Sequence, residues 1–100
     1  MSKVIFKVNY EIQPEKKEEY LKTVRELKSL IKADGLESYK VFEVKGKSNR
    51  YEEEYLFSSD EAFENFEDST DERMNILITK ISGMTVEHTT KYMTLTELEL

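Results

Sequence analysis

Hydrophobic and polar positions follow two different periods along this chain, and the order of those periods predicts the order of its elements. Stretches with a two-residue or a helical period lie at 4–12, 14–31, 39–44, 51–57, 58–84 and 86–100. Of these, 14–31 and 58–84 have the helical period, with apolar side chains at steps of three and four residues. The order is therefore β-α-β-β-α-β, which predicts an α+β fold with a four-stranded antiparallel sheet and its helices on one face. No helix covers the other face of such a sheet, and we therefore expect a partner to bury it.

Helix-start and helix-end signals agree with this order. Pro14 suits a first helical turn, and Gly35 is placed to adopt the left-handed conformation that closes a helix. Ser58 and Glu61 have the spacing of a capping box, and Ser69 with Glu72 repeats it. We therefore expect the second helical region to be broken into two helices.

The second arm of the predicted hairpin carries three consecutive glutamates at 52–54. The first arm is 39–44, and a turn at 46–49 joins the two arms. Because side chains alternate along a strand, Glu52 and Glu54 share one face, whereas Glu53 shares the other face with Tyr51, Tyr55 and Phe57. Only Glu53 is thus predicted to lie among the aromatic side chains.

The last strand has an inconsistent apolar phase. Val86 and Tyr92 are at even positions, Met93 and Leu95 at odd ones, and 98 and 100 are even again. Either a bulge near residue 96 shifts the register, or a partner covers both faces of the strand in different stretches. We favour the second interpretation, in which this strand reaches into another copy of the chain.

Composition narrows the class of protein. One hundred residues support a single domain, 1–100, and oligomerisation would add usefully to its stability. The net charge of -6 disfavours nucleic acid and anionic membrane surfaces as partners. No apolar run approaches the length of a membrane span or a leader, so we expect a cytoplasmic protein. The absence of cysteine excludes disulfides, thiolate nucleophiles and sulfur-ligated metal centres.

Three stretches of the chain resemble a known family: 10–20 (YEIQPEKKEEY), 34–39 (DGLESY) and 55–63 (YLFSSDEAF). They are similar to the antibiotic-biosynthesis-monooxygenase-like branch of the dimeric α+β barrel superfamily. The resemblance implies a ferredoxin-like protomer whose sheet pairs with a second copy to form a barrel. It also implies a small-molecule pocket between the sheet and the helices of each protomer. The shared motifs are turns and caps, and therefore indicate the fold more than an activity.

Members of that superfamily include cofactor-independent monooxygenases of polycyclic quinols, haem-degrading enzymes and isomerases. The resemblance to the haem-degrading members implies an Asn on the first strand, a Trp, and a His on the second helical unit as the iron ligand. Asn9 is near the first of these positions, but the chain has no Trp, and its one histidine, His88, is predicted on the last strand. Haem degradation is therefore not expected, and we expect no cofactor.

The candidate ligand-binding residues are Asn9, Tyr51, Tyr55, Phe63 and His88. His88 has the side chain best suited to acid-base work at neutral pH, but no acidic partner is in view, which favours a structural role. Eight aromatic residues are suited either to line a flat pocket or to fill the core: Tyr10, Tyr39, Tyr51, Tyr55, Tyr92, Phe57, Phe63 and Phe66. An acid-base pair or a cation site could form from the strand carboxylates, but we favour the interpretation that they are solvated: Glu11, Glu43, Glu53 and Glu97. Met74, Met84 and Met93 are interpreted as packing residues of the core or of the dimer interface. No metal site is predicted.

The sequence leaves three functions open, and leaves open whether the protein is an enzyme. We favour a homodimer, paired through the sheet face and the C-terminal strand, that binds a small apolar or aromatic molecule between sheet and helices. The alternative is a cofactor-independent, monooxygenase-like enzyme acting on a quinol or related aromatic, with Asn9 and either Tyr51 or Tyr55 as polar groups. The further alternative is a non-catalytic association module whose acidic surface meets a basic partner.

Overall fold

The computed structural model describes residues 2–68 and 71–100. Its strands are β1 (Val4–Glu11), β2 (Leu36–Glu43), β3 (Arg50–Phe57) and β4 (Lys91–Thr96), and its α-helices are α1 (Lys17–Leu30), α2 (Asp60–Glu67) and α3 (Glu72–Ser82). The β-α-β-β-α-β order is confirmed, as is the division of the second helical region into two helices. The strands form one antiparallel sheet in the order β2-β3-β1-β4. This is a ferredoxin-like arrangement.

The two faces of this sheet differ. On one face, here called the inner face, the side chains pack against the helices and form the core. The inner-face residues of the central strands include Val4, Phe6, Val8 and Tyr10 of β1 and Tyr51, Glu53, Tyr55 and Phe57 of β3. Among the described residues, no helix lies on the opposite face, here called the outer face. It carries Ile5, Lys7, Asn9, Arg50, Glu52, Glu54 and Leu56. The two-residue alternation of the sequence is thus realised in both central strands.

The entry to α1 matches expectation, but its end does not. Pro14 opens a short 3-10 turn (Pro14–Lys16) that leads into α1. The helix ends at Leu30, because Ile31 already has an extended backbone, so the prediction that Gly35 closes the helix is wrong. Gly35 does have a left-handed backbone (φ 82°), but in the turn before β2. A Cβ atom there would collide with Cβ of Ala62, so the approach of α2 also requires glycine.

The caps of α2 and α3 lie close to their predicted positions. The side chain of Ser59, one residue after the predicted Ser58, accepts a hydrogen bond from the backbone N–H of Ala62. Asp71 caps α3 in the same way, by accepting from the N–H of Met74. The capping role predicted for Ser69 falls outside the described residues.

The last strand is shorter than predicted and is preceded by a turn. β4 begins at Lys91, and its pairing with β1 runs without a register shift from Asn9–Lys91 to Val4–Thr96. His88 lies in the turn, with a left-handed backbone (φ 65°), and is therefore not on a strand. The apolar phase changes between Tyr92 and Met93, within β4, because Tyr92 pairs with Val8 on the inner face, whereas Met93 and Leu95 pair with Lys7 and Ile5 on the outer face. The bulge predicted near Thr96 is absent from the described β1–β4 pairing. All six residues of β4 are exposed in the single chain.

Within the described ranges, no helix combines the length and apolar character needed to cross a membrane.

Candidate functional site

A glutamate is buried in the inner face of the sheet. Only 4% of Glu53 is exposed, and three tyrosine hydroxyls donate hydrogen bonds to its carboxylate. Tyr39 (2.5 Å) and Tyr55 (3.1 Å) donate to Oε1, and Tyr10 (2.6 Å) donates to Oε2. The Tyr20 and Tyr10 oxygens are 2.8 Å apart, and because Tyr10 gives its proton to Glu53, Tyr20 is left as the donor to Tyr10. We call these five residues the Glu53 cluster.

Four elements bring the Glu53 cluster together. Glu53 and Tyr55 alternate onto the inner face of β3, and the registers of the sheet place Tyr10 of β1 and Tyr39 of β2 on the same face. Tyr20 reaches the cluster from the first turns of α1. The interpretation of Glu53 as a solvated carboxylate is therefore wrong. The signal that could have found the site was its shared parity with three aromatic neighbours.

The electrostatics of the cluster keep the tyrosines protonated. Burial, and next the charge of Glu53, raise the pKa values of Tyr10, Tyr39 and Tyr55 well above the ordinary tyrosine value. Burial likewise raises the pKa of Tyr20. Among the described residues, no basic side chain forms an ion pair with Glu53. Within the described residues, the carboxylate is therefore stabilised by hydrogen bonds from phenols and not by a countercharge.

A cleft between the sheet and the helices opens onto this cluster. It has a volume of about 140 Å³ and is lined by Glu53 and by five aromatic residues, Phe6, Tyr10, Tyr55, Phe66 and Tyr92. Aliphatic side chains of Val8, Ile78 and Ile81 and the residues Ser82, Thr85 and Thr90 complete the lining. Tyr92, which is 70% exposed, stacks on Phe6 with ring centroids 6.1 Å apart. We call this space the inner cleft.

Of the five candidate ligand-binding residues, the structure places Tyr55 in the inner cleft and Phe63 beside it. Phe63 packs on Phe6 and Phe57, with ring centroids 5.5 Å away in each case. Tyr51 is buried farther along the sheet, against the ring of Tyr20. Its hydroxyl finds no hydrogen-bond partner in the described part of the chain.

Asn9 and His88 lie away from the inner cleft. Asn9 is on the outer face, where its Oδ1 accepts from Nε of Arg50 (2.7 Å) and its Nδ2 donates to Glu52 (3.3 Å). His88 lies in the exposed turn before β4. Of the five candidate residues, Tyr55 therefore lines the cleft, as do Tyr10, Phe66 and Tyr92 of the aromatic set that the sequence offers for a pocket. The sequence does not single out Glu53 as a site residue, because its carboxylate is predicted to be solvated.

The outer face carries its own polar network, in an open groove whose lining includes Lys7, Asn9 and Glu52. Nζ of Lys7 lies 3.3 Å from Oε2 of Glu52. Partial burial opposes ionisation of Glu52, but hydrogen bonds with Glu54, Asn9 and Lys7 lower its pKa overall. The hydrogen bond with Glu52, together with partial burial, raises the pKa of Glu54. On this face, the Glu52 carboxylate therefore lies beside the Lys7 ammonium group and is also hydrogen-bonded with Glu54.

Among residues 2–68 and 71–100, no three or more His, Asp or Glu side chains are grouped so as to hold a metal ion.

Comparisons with known proteins agree with this fold. Residues 3–73 match the family model described as antibiotic biosynthesis monooxygenase. The chain belongs to this family. No curated protein is similar enough in sequence to count as a match.

Several solved structures share this fold at low sequence identity. A Caulobacter crescentus CB15 protein named for the same family is 17% identical, with a TM-score of 0.83 over 98% of this chain and 92% of that one. SnoaB from Streptomyces nogalater, a cofactor-independent oxygenase, is 11% identical in a mutant form, with a TM-score of 0.80 over 100% and 97% of the two chains. Rv0793 from Mycobacterium tuberculosis is 13% identical, with a TM-score of 0.78 over 99% and 98%. At these identities the likeness shows the fold alone.

Proposed function

We propose that this protein binds a small aromatic molecule in the inner cleft. The observation that carries the proposal is the lining of the cleft, in which aromatic side chains surround a floor formed by a buried, hydrogen-bonded carboxylate. Ligand sites are typically apolar pockets with a few well-placed polar groups, and this cleft has that composition. Its volume of about 140 Å³ suits a single ring, since a cavity of about 150 Å³ in another protein takes up benzene.

Toluene provides the simplest test, because it probes the aromatic walls without using the polar floor. We expect toluene to shift the NMR signals of Phe6, Tyr55 and Phe66 in the untagged protein. Ile78→Trp places a large side chain at the cleft wall and is expected to weaken binding at least about tenfold. Ile76→Trp is the matched control, because Ile76 is on the same helix but 62% exposed and outside the cleft. Absence of toluene binding, or equal binding by both variants, contradicts the proposal.

The proposal includes a homodimer formed through the outer face and the C-terminal strand. Homodimers are typical of this family. On the outer face of β4, Met93 and Leu95 are exposed, and Leu95 pairs with Ile5 of β1, which in turn pairs with Leu56 of β3. Apolar side chains grouped on a bare sheet face support burial against a second copy. Sedimentation equilibrium measures the assembly, and a monomer at micromolar concentration contradicts it.

The second candidate function is cofactor-independent oxygenation of an electron-rich ring such as a quinol. It is favoured by the family and by one structural observation, a buried carboxylate at the floor of an aromatic cleft. Glu53 would accept a proton from the substrate, whose carbanion would give two electrons to oxygen and form a C–O bond. Protonation would give a hydroperoxide, and loss of water would leave a carbonyl, so that one oxygen atom enters the product and the other enters water.

The test of this second function is oxygen consumption with one-ring quinols. Glu53→Gln is expected to abolish turnover while toluene binding persists. Asn9, which was expected from the sequence to be a polar group for this reaction, is on the opposite face of the sheet. Asn9→Ala is therefore the matched control and is expected to retain turnover. Unchanged turnover in Glu53→Gln contradicts the assignment.

A further inference from the structure

The inner cleft combines a buried negative charge, aromatic walls and a small volume, and these features together specify a class of ligand. We infer that the cleft recognises a protonated amine carried on a single aromatic ring, with the ammonium group bound to Glu53. The inference rests on the proposed function, since it presumes that the cleft binds a ligand. It adds the charge and the size of that ligand.

The first observation is the negative charge of Glu53, which lines the cleft. Glu53 is held by three phenol donors and, in the part of the chain described, forms no ion pair with Lys, Arg or His. No basic side chain occurs among the described residues that line the cleft. A cationic ligand would therefore meet an uncompensated carboxylate in a site of low dielectric, where the attraction is stronger than in water. An anionic ligand would be repelled.

The second step is the hydrogen-bonding capacity that remains. A carboxylate accepts about four hydrogen bonds, two on each oxygen. Tyr39 and Tyr55 both donate to Oε1, whereas Tyr10 alone donates to Oε2. Oε2 therefore retains one acceptor position for a ligand N–H. The tyrosines cannot serve a ligand equally well as donors, because their protons are already directed to Glu53.

The third step is the aromatic wall. Phe6, Tyr55, Phe66 and Tyr92 all line the cleft, and Phe6 and Tyr92 are nearly parallel, with an angle of 10° between their ring planes. Aromatic faces attract cations through their quadrupole, and the attraction is stronger where water is excluded. The same faces accept the ring of the ligand. A carboxylate with aromatic faces around it thus favours an ammonium group over a neutral hydroxyl.

The fourth step is size. A volume of about 140 Å³ accommodates one ring with a short substituent, whereas a polycyclic ligand is larger than this space. The ammonium group must also reach Glu53 at the floor. We therefore expect a single methylene or a comparably short linker between ring and nitrogen.

The experiment compares four one-ring probes on the wild-type protein at pH 7: benzylammonium, benzyl alcohol, benzoate and toluene. We expect benzylammonium to bind about tenfold more tightly than benzyl alcohol, since charge-assisted hydrogen bonds are about twice as strong as neutral ones. Benzoate is expected to bind most weakly. NMR shifts of Phe6, Tyr55 and Phe66 report binding in the cleft rather than elsewhere on an acidic protein.

Two charge-removing variants identify the group responsible. Glu53→Gln is expected to lose the preference for benzylammonium over benzyl alcohol while toluene still binds. Glu43→Gln is the matched control, because it removes one negative charge from the same sheet at an exposed position outside the cleft. We expect Glu43→Gln to keep the preference of the wild type.

The outcomes separate this inference from the proposed function. If toluene binds but benzyl alcohol binds as tightly as benzylammonium, the inference is wrong and the proposed function stands. If the folded Glu53→Gln variant keeps the preference, Glu53 is not the recognition group and the inference is likewise overturned. If none of the four probes binds in the cleft, the proposed function itself fails. If Glu53→Gln does not fold, the four probes on the wild-type protein still test the inference. Equal affinities for benzylammonium and benzyl alcohol contradict it, and toluene binding then supports the proposed function without it.

Discussion

Acidic side chains have different partners on the two faces of this sheet, although the two residues concerned are consecutive on β3. On the outer face, Glu52 is paired with Lys7 and bonded to Asn9. On the inner face, Glu53 is buried, and its hydrogen-bond partners in the described part of the chain are tyrosine hydroxyls. The comparison teaches that a buried charge need not have a countercharge if enough donors converge on it. It also indicates that Glu53, on the inner face, has hydrogen-bonding capacity left for a ligand, whereas Glu52 already has a lysine partner.

Alkaline pH should affect the inner face most. Burial raises the pKa values of the four tyrosines of the Glu53 cluster above the unfolded value of about 10. Their stabilising contribution is therefore present below the unfolded pKa and is lost as pH rises above it. At up to about 1.4 kcal/mol per tyrosine per pH unit, we expect a loss of roughly 6 kcal/mol between about pH 10 and pH 11.5.

Ultraviolet absorbance of tyrosinate, followed together with circular dichroism, measures this effect. We expect the four tyrosines to ionise only as the protein unfolds. Their ionisation in a protein that is still folded would contradict the role assigned to burial.

Removing the acceptor should be the next largest effect. Glu53→Ala leaves three buried hydroxyls without their acceptor, and we expect it to lower the free energy of unfolding by about 4 kcal/mol. Glu52→Ala, one residue away on the outer face, breaks a partly exposed ion pair and should cost less than about 1 kcal/mol. Urea unfolding of both variants measures the difference. Equal losses would mean that the two faces do not differ as described.

The proposed dimer gives the outer face a different role, which a charged side chain would disrupt. Leu95 is 41% exposed on the outer face of β4, and Leu95→Glu should raise the dimer dissociation constant at least about a hundredfold. Ile76→Glu removes another exposed apolar side chain, on α3, and should leave the dissociation constant unchanged. Sedimentation equilibrium distinguishes the two, and an unaffected Leu95→Glu dimer would place the interface elsewhere.

Two tyrosine hydroxyls within the inner face offer a finer comparison. Tyr39 donates to Glu53, so Tyr39→Phe should lower the free energy of unfolding by about 2 kcal/mol. The hydroxyl of Tyr51 is buried, with no partner in the described part of the chain, so Tyr51→Phe should be neutral or slightly stabilising. Chemical denaturation measures both. A larger loss for Tyr51→Phe would contradict the assigned hydrogen bonds.

The smallest effect is expected from the outer carboxylate pair. The raised pKa of Glu54 contributes stability that is lost as pH rises, whereas the lowered pKa of Glu52 contributes stability that is lost as pH falls. The two contributions oppose each other near about pH 4.3, an ordinary carboxyl pKa. Glu54→Gln should therefore steepen the loss of stability on acidification by less than about 1 kcal/mol. Denaturation from about pH 7 to about pH 3 checks this, and a shallower loss would reverse the assignment.

Much of the fold could be predicted because it depends on local order. The alternation in β1 and β3, the break between α2 and α3 and the hairpin turn all follow from short-range patterns of side chains. The errors came where distant segments meet. The local pattern predicts a helix end at Gly35, whereas its conformation serves a turn and the approach of α2. The alternation predicts a strand at His88, because a turn and a strand can carry similar side chains, whereas the structure has a turn there.

The candidate site shows the same division. The sequence by itself determined that Glu53 shares a face with Tyr51 and Tyr55, since side-chain parity is a property of the strand alone. Only the tertiary structure decided that Tyr10 and Tyr39, 43 and 14 residues away along the chain, would donate to that carboxylate. Strand register and helix packing place those hydroxyls, and both depend on contacts between segments remote in sequence. For this physical reason the same pattern of residues could be interpreted as a solvated glutamate until the fold enclosed it.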